Sequence, residues 1–276
     1  MNRSLNHKLC EAVSRKEIIM SKRIDLNSDL GESFGAYTIG MDEEVIKLAS
    51  SVNIACGFHA SDPIVMRKTV ESAAKANIGI GAHPGFYDLM GFGRRNMNIS
   101  PDEAYAYVTY QLGALNAFCV QQGTKIQHVK PHGALYNMAG KDYKLAEGIC
   151  RAVYDFDPSI ILLGLSGSEM INAGIDIGLK CANEFFSDRA YEDDGSLRAR
   201  TKEGAMITDE QEAIERVVKV IKTGYVTTYS GRELELKIDS ICVHGDNAHA
   251  LDFVRSIRER LIGEGVEIAP LRSVIS

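Results

Sequence analysis

Short apolar, β-branched runs recur along the chain and alternate with longer stretches whose apolar residues return every three to four positions. The runs at 23–28, 51–55, 78–82, 126–130, 160–164, 179–184 and 239–244, with a short one at 265–268, predict strands. The periodic stretches at 41–50, 62–76, 101–122, 141–155, 167–175, 209–223 and 247–263 predict helices. Their boundaries carry chemical signals. Ser61-Asp62-Pro63 offers a capping side chain followed by a proline, whose fixed φ suits a first helical turn. Ser100-Pro101-Asp102-Glu103 repeats that logic, with acids at the positive end of the helix.

Strand–helix alternation repeated seven or eight times implies a parallel sheet. Closure into a (β/α) barrel and an open doubly wound sheet both satisfy the pattern, and the barrel is the expectation. No linker-like composition break interrupts 23–276, so one catalytic domain is expected there, preceded by an extension at 1–22. The stretch 186–208 is polar and irregular, and long loops of that kind are often functional. Residues 225–238 suggest a small β-hairpin.

The chemistry gathers where the strands end. In the first run Asp25, Asn27 and Asp29 alternate with apolar residues and so share one face, with Glu32 just beyond. The next run leads into Asn53, His59 and Asp62, and the third into His83, Arg94 and Arg95. The fourth delivers Lys130, His132 and Tyr136; the sixth delivers Glu184, Asp188 and Arg189; the seventh delivers His244 and Asp246. In a parallel barrel these ends open on one face, where barrel enzymes keep their active sites. His128 reads as an ordinary strand position, and His249 and His7 as helix-surface and tail residues.

A net charge of −6 gives no basic face for nucleic acid. No run approaches the length of a membrane span, and residues 1–22 lack the apolar core of a secretory signal. A cytoplasmic location is therefore expected, with the six scattered cysteines as free thiols. Cys56, close to His59, is the one candidate thiol nucleophile, and no orienting base is evident. No Walker loop, dinucleotide fingerprint or nucleophile elbow is present. Asp25, His59, His83 and His132 form an Asp/His set of the kind that holds a divalent metal, although no closely spaced ligand pair supports one.

The segments DLNSDLGESFG, NIACGFHASD, IGAHPGFYD with GFGRR, VKPHGALYN, DRAYEDDGSLRAR and SICVHGD resemble, in order and over roughly 23–270, the LamB/YcsF family. Two positions depart from its usual pattern: Ser61, where glycine is usual, and Ser28, where alanine or cysteine is common. The resemblance implies a distorted barrel like that of polysaccharide deacetylases. It also implies ATP-dependent opening of 5-oxoproline to L-glutamate, with partner subunits B and C. On that footing Asp25 or Asp29 is expected as base, assisted by His59 or His132. Lys130, Arg94 and Arg95 would neutralise carboxylate or phosphate, and Asn27, Asn53 and Tyr136 would orient the ring. Glu32, His83, Glu184, Arg189, His244 and Asp246 complete the expected substrate-binding set. Two other functions fit the residues. One is a metal-dependent amide hydrolase or deacetylase that needs no ATP; the other is a non-catalytic component that captures an organic anion.

Overall fold

The computed structural model describes residues 23–244 and 248–275. The 1–22 extension, Asp246 and the side chain of His249 lie outside the described residues. Seven parallel strands close into a barrel: β1 (Arg23–Leu30), β2 (Ser51–Ala55), β3 (Gly79–His83), β4 (His128–Val129), β5 (Ile161–Leu165), β6 (Cys181–Phe186) and β9 (Ser240–Cys242). The pairing of β9 with β1, Asp25 opposite Ser240, makes the closure. Antiparallel β7 (Tyr225–Thr227) and β8 (Glu233–Glu235) form the hairpin expected within 225–238. The two-residue β10 (Glu267–Ile268) pairs with the start of β1.

Helices α1 (Asp42–Val45), α2 (Pro63–Lys75), α3 (Pro101–Gln121), α4 (Gly133–Ala139), α5 (Tyr143–Phe156), α6 (Glu169–Ile177), α7 (Glu210–Thr223) and α8 (Ala248–Gly263) follow the strands, and α9 (Leu271–Val274) ends the chain. The expected start signals operate. Asp62 accepts from the amides of Ile64 and Val65 at 2.8 and 3.0 Å, and Ser100 forms a capping box with Glu103. Short α4, immediately after β4, gave no sequence signal, since its seven residues complete barely two turns.

The strand faces divide the molecule into two layers. Leu26, Val52, Ile54, Ile80, Val129 and Leu162 are buried in the main apolar core with the apolar sides of the helices. The alternate residues point inward, and the barrel interior is largely polar. Ile161, Leu163 and Ala182, with Leu271 of α9, make a separate small apolar cluster. Glycines make room for the polar chains: a Cβ at Gly81 would collide with the His128 ring.

Candidate active site

Asn27 anchors the interior. Its amide donates to Ser240 Oγ at 2.7 Å, and its Oδ1 accepts from Asn53 at 2.8 Å and from Lys130 Nζ at 3.2 Å. Asn53 also donates to Asp29 Oδ1 at 2.8 Å, and its own Oδ1 lies 2.7 Å from His128 Nε2. Deeper still, both oxygens of Asp25 accept from serines, Ser50 at 2.7 Å and Ser240 at 2.5 Å. Burial pushes the Asp25 carboxyl up to about 6, against the lowering effect of these hydroxyls.

Lys130 is the cationic centre. Its Nζ lies 3.0 Å from Asp29 Oδ1, 2.7 Å from Glu184 Oε1 and 3.3 Å from Cys242 Sγ. Burial works against its charge, but Asp29, Cys242 and Glu184 hold its pKa well above the ordinary lysine value. Burial likewise opposes the charge of Asp29, and His83 and Lys130 overcome it, so this carboxyl stays well below its usual range. Tyr136 donates to Glu184 Oε2 at 2.7 Å; burial and that carboxylate keep the phenol protonated.

Above this floor, three imidazoles meet. His59 and His132 stack with ring centroids 3.7 Å apart, and His83 stands edge-on to both. His83 Nε2 is 2.9 Å from His132 Nδ1 and 3.2 Å from Asp29 Oδ2. Glu32 Oε1 lies 3.3 Å from His59 Nε2 and 3.7 Å from His132 Nδ1. Burial drives the pKa values of His59 and His132 well below that of a free imidazole and raises that of Glu32. Gly93, at φ +62°, brings its backbone against the stacked pair, where any side chain would strike His59 and His132.

A cavity of about 1270 Å³ opens over these groups. Asp29, Glu32, His83, Arg94, Lys130, His132, Tyr136, Arg189 and His244 reach its wall. Asn27, Asn53, His59 and Glu184 stand directly behind that wall through the bonds just given. Two expected positions fall elsewhere. Asp25, two residues further down β1 than Asn27, is sealed among Ser50 and Ser240, whereas Asp29 reaches the cavity wall. Arg95 turns away from the cavity and is held by Asp88 with Nε–Oδ distances of 2.9 and 3.1 Å, leaving Arg94 as the member of the pair at the site. The metal set expected from sequence changes in the same way, because Glu32, not Asp25, stands with the histidines.

Some residues of the polar interior escaped sequence reading. His128 belongs to the polar interior because it lies two residues before Lys130, on the same strand face; that spacing was the available signal. Ser240 and Cys242 enter by the same periodicity on β9. Asp188, already marked by the sequence after the sixth strand, pairs with His244 at 2.9 Å and raises the His244 pKa well above its ordinary value against the effect of burial. Arg189 does double duty: besides facing the cavity it staples the 186–208 segment, donating to the carbonyls of Arg198 at 2.6 Å and Ala205 at 3.4 Å. Cys56 donates to the Ile54 carbonyl, and burial pushes its thiol up to about 12, so no thiolate forms near neutral pH.

A closed parallel barrel with an ionisable cavity at the carboxyl ends of its strands is the architecture of a barrel enzyme. The chain belongs to the LamB/YcsF family, whose sequence model matches residues 24–276. It is 64% identical to a Clostridium beijerinckii protein named as the A subunit of 5-oxoprolinase, over 91% of this chain and 99% of that one. Identity to the Bacillus subtilis protein of the same name is 53%, over 90% and 97%. The crystal structure of the lactam utilization protein from Thermus thermophilus superposes with a TM-score of 0.84 at 42% identity, covering 90% of this chain and 99% of that one. A peptidoglycan N-acetylglucosamine deacetylase, Bc1960, shares the fold at a TM-score of 0.51 and 12% identity, covering 93% and 89%.

Proposed function

We propose that this chain is the A-type component of an ATP-dependent 5-oxoprolinase, opening the five-membered lactam of 5-oxoproline to L-glutamate. The observation that carries the reading is the 64% identity, over 91% of the chain, to a relative bearing that name. The cavity suits the task. A lactam is resonance-stabilised, so its opening needs an activated carbonyl and an activated water. Transfer of the ATP γ-phosphoryl group to the lactam oxygen, releasing ADP, makes the carbon electrophilic. One water adds there and the ring nitrogen leaves as the amine, giving a γ-glutamyl phosphate; a second water then releases phosphate. The Asp29 carboxylate, ionised and turned with its Oδ2 toward His83, serves as the base. Lys130 and Arg94 neutralise the substrate carboxylate and the developing oxyanion. Tyr136, whose proton goes to Glu184, accepts a hydrogen bond from the ring N–H. A divalent ion would be held by the Glu32, His83 and His132 group, where it would polarise a carbonyl or a water.

The relatives' name marks each as one part of an assembly, and subunits B and C are the partners proposed here. With no nucleotide loop in this sequence, ATP is expected to bind at a face shared with a partner; a homo-oligomer and a cytoplasmic location complete the reading. No helix among the described residues is long and apolar enough to cross a membrane. Reconstitution tests the proposal. This chain, its two partners, 5-oxoproline and ATP together should yield glutamate and ADP, and omission of any one should abolish both. Glutamate formed without ATP would favour the amide hydrolase reading, and full activity without this chain would leave it no catalytic part.

A further inference from the structure

Hydrogen bonds to two backbone carbonyls fix the proton positions in the imidazole cluster. His83 Nδ1 lies 2.7 Å from the Lys130 carbonyl, and His132 Nε2 lies 2.9 Å from the Phe92 carbonyl. A carbonyl only accepts, so each of those ring nitrogens carries a hydrogen. In the neutral rings the remaining nitrogens, His83 Nε2 and His132 Nδ1, are therefore bare. These two bare nitrogens face each other at 2.9 Å, with the Glu32 carboxylate 3.7 Å from the second and that of Asp29 3.2 Å from the first. Lone pairs and carboxylates converging on one point repel unless a proton or a metal ion sits between them.

We infer that Glu32, His83 and His132 form a transition-metal site of the zinc class, with an open coordination position facing the cavity. All three reach the cavity wall, whereas His59 does not. Metal–nitrogen and metal–oxygen bonds of roughly 2.0–2.1 Å in a tetrahedral site place ligand atoms about 3.3 Å apart. The observed separations of 2.9 and 3.7 Å bracket that value, so little movement is required. The two carbonyls are the outer partners that metal-bound histidines normally use to fix their tautomer. His59 has the complementary task. Its Nδ1 is buried without a partner, so the ring places its hydrogen on Nε2 and donates to Glu32, steadying that ligand. Two imidazoles and one carboxylate favour a zinc-like ion over magnesium, which prefers oxygen. The other group of ligand-type residues, Asp29, Cys242 and His244, is already neutralised by Lys130 and Asp188 and is left out.

The inference rests on the hydrolase reading only for the metal's purpose, so it is tested on the isolated chain without ATP or lactam. After chelator-free purification and dialysis against zinc, elemental analysis should find about one ion per chain. Cobalt substitution should give visible d–d bands of nitrogen and oxygen ligation without thiolate charge transfer. Glu32→Gln, His83→Ala and His132→Ala should each weaken zinc binding at least tenfold, while Cys242→Ser leaves it unchanged. If a histidine variant unfolds, the wild-type protein still decides the matter: zinc should raise its Tm and a chelator should reverse the rise. Occupancy far below one, a thiolate band, or unchanged affinity in the Glu32 and histidine variants would overturn the site. An empty site in an assembly that makes glutamate sinks the metal and spares the function; a filled site without glutamate does the reverse.

Discussion

The floor of the barrel and its mouth use the same residue types to opposite ends. On the floor, His128, Asn27, Asn53 and Asp25 are as buried as any apolar residue, and each is matched by amides or hydroxyls at hydrogen-bond distance. At the mouth, His59, His83 and His132 are almost equally shielded, yet ring nitrogens and carboxylates crowd together without enough donors. A buried polar group that is fully satisfied reads as structure; one left facing its own kind is held ready for something that arrives later. Residue type alone could not separate His128 from His132, because the distinction lies in their partners.

Lys130 joins the two regions, so its removal should have the largest effect. Lys130→Met leaves buried Glu184 without its counter-charge and takes one from partly buried Asp29, costing about 3–5 kcal/mol by chemical denaturation. Turnover in the reconstituted assembly should fall by about 10²–10³-fold as the oxyanion loses its cation. Stability unchanged in Lys130→Met would mean that floor and mouth are electrically independent. His132→Ala strikes the mouth alone, and turnover should fall by about 10–10²-fold. His128→Asn, by contrast, should keep most of the activity.

Asp25 tests the floor by pH. Its folded pKa of about 6 exceeds the ordinary 3.8, so between these values the folded state binds more protons than the unfolded one. Stability should therefore fall as pH rises from about 4 to about 6 and then level off, a change on the order of 3 kcal/mol. Asp25→Asn should flatten that slope and leave turnover within a few-fold; an unaltered pH profile would place the proton elsewhere. Arg94→Ala should raise KM for the lactam about tenfold with kcat little changed, a loss of about 1.4 kcal/mol of uniform binding. The smallest effect belongs to Ser61. It sits at φ +74°, a left-handed conformation that glycine adopts freely, which accounts for the residue usual in the family. Ser61→Gly should raise stability by up to about 1 kcal/mol, seen as a higher Tm.

Much of this was legible in the sequence. Period-two alternation in RIDLNSDL put Asp25, Asn27 and Asp29 on one face, and strand–helix repetition implied the parallel sheet that the structure closes into a barrel. How deep each residue lies along its strand was not legible, because alternation assigns a face and not a height; Asp25 and Asp29 differ in height alone. Which arginine of Arg94–Arg95 faces the cavity was equally hidden, since Asp88 makes that choice through a loop. The Phe92 carbonyl that orients His132 left no trace either, because a backbone group has no letter.

Strand β4 takes part in the sheet through only two residues, His128 and Val129, yet Lys130 and His132 follow it directly. The segment proposed to carry the chemistry is thus the narrowest stave of the barrel. It is held in place by His83 gripping the Lys130 carbonyl and by the Lys130 and His132 amides donating to Ala82 and Pro84. Scaffold and proposed reaction centre share these fasteners, so a substitution that loosens one is expected to loosen the other.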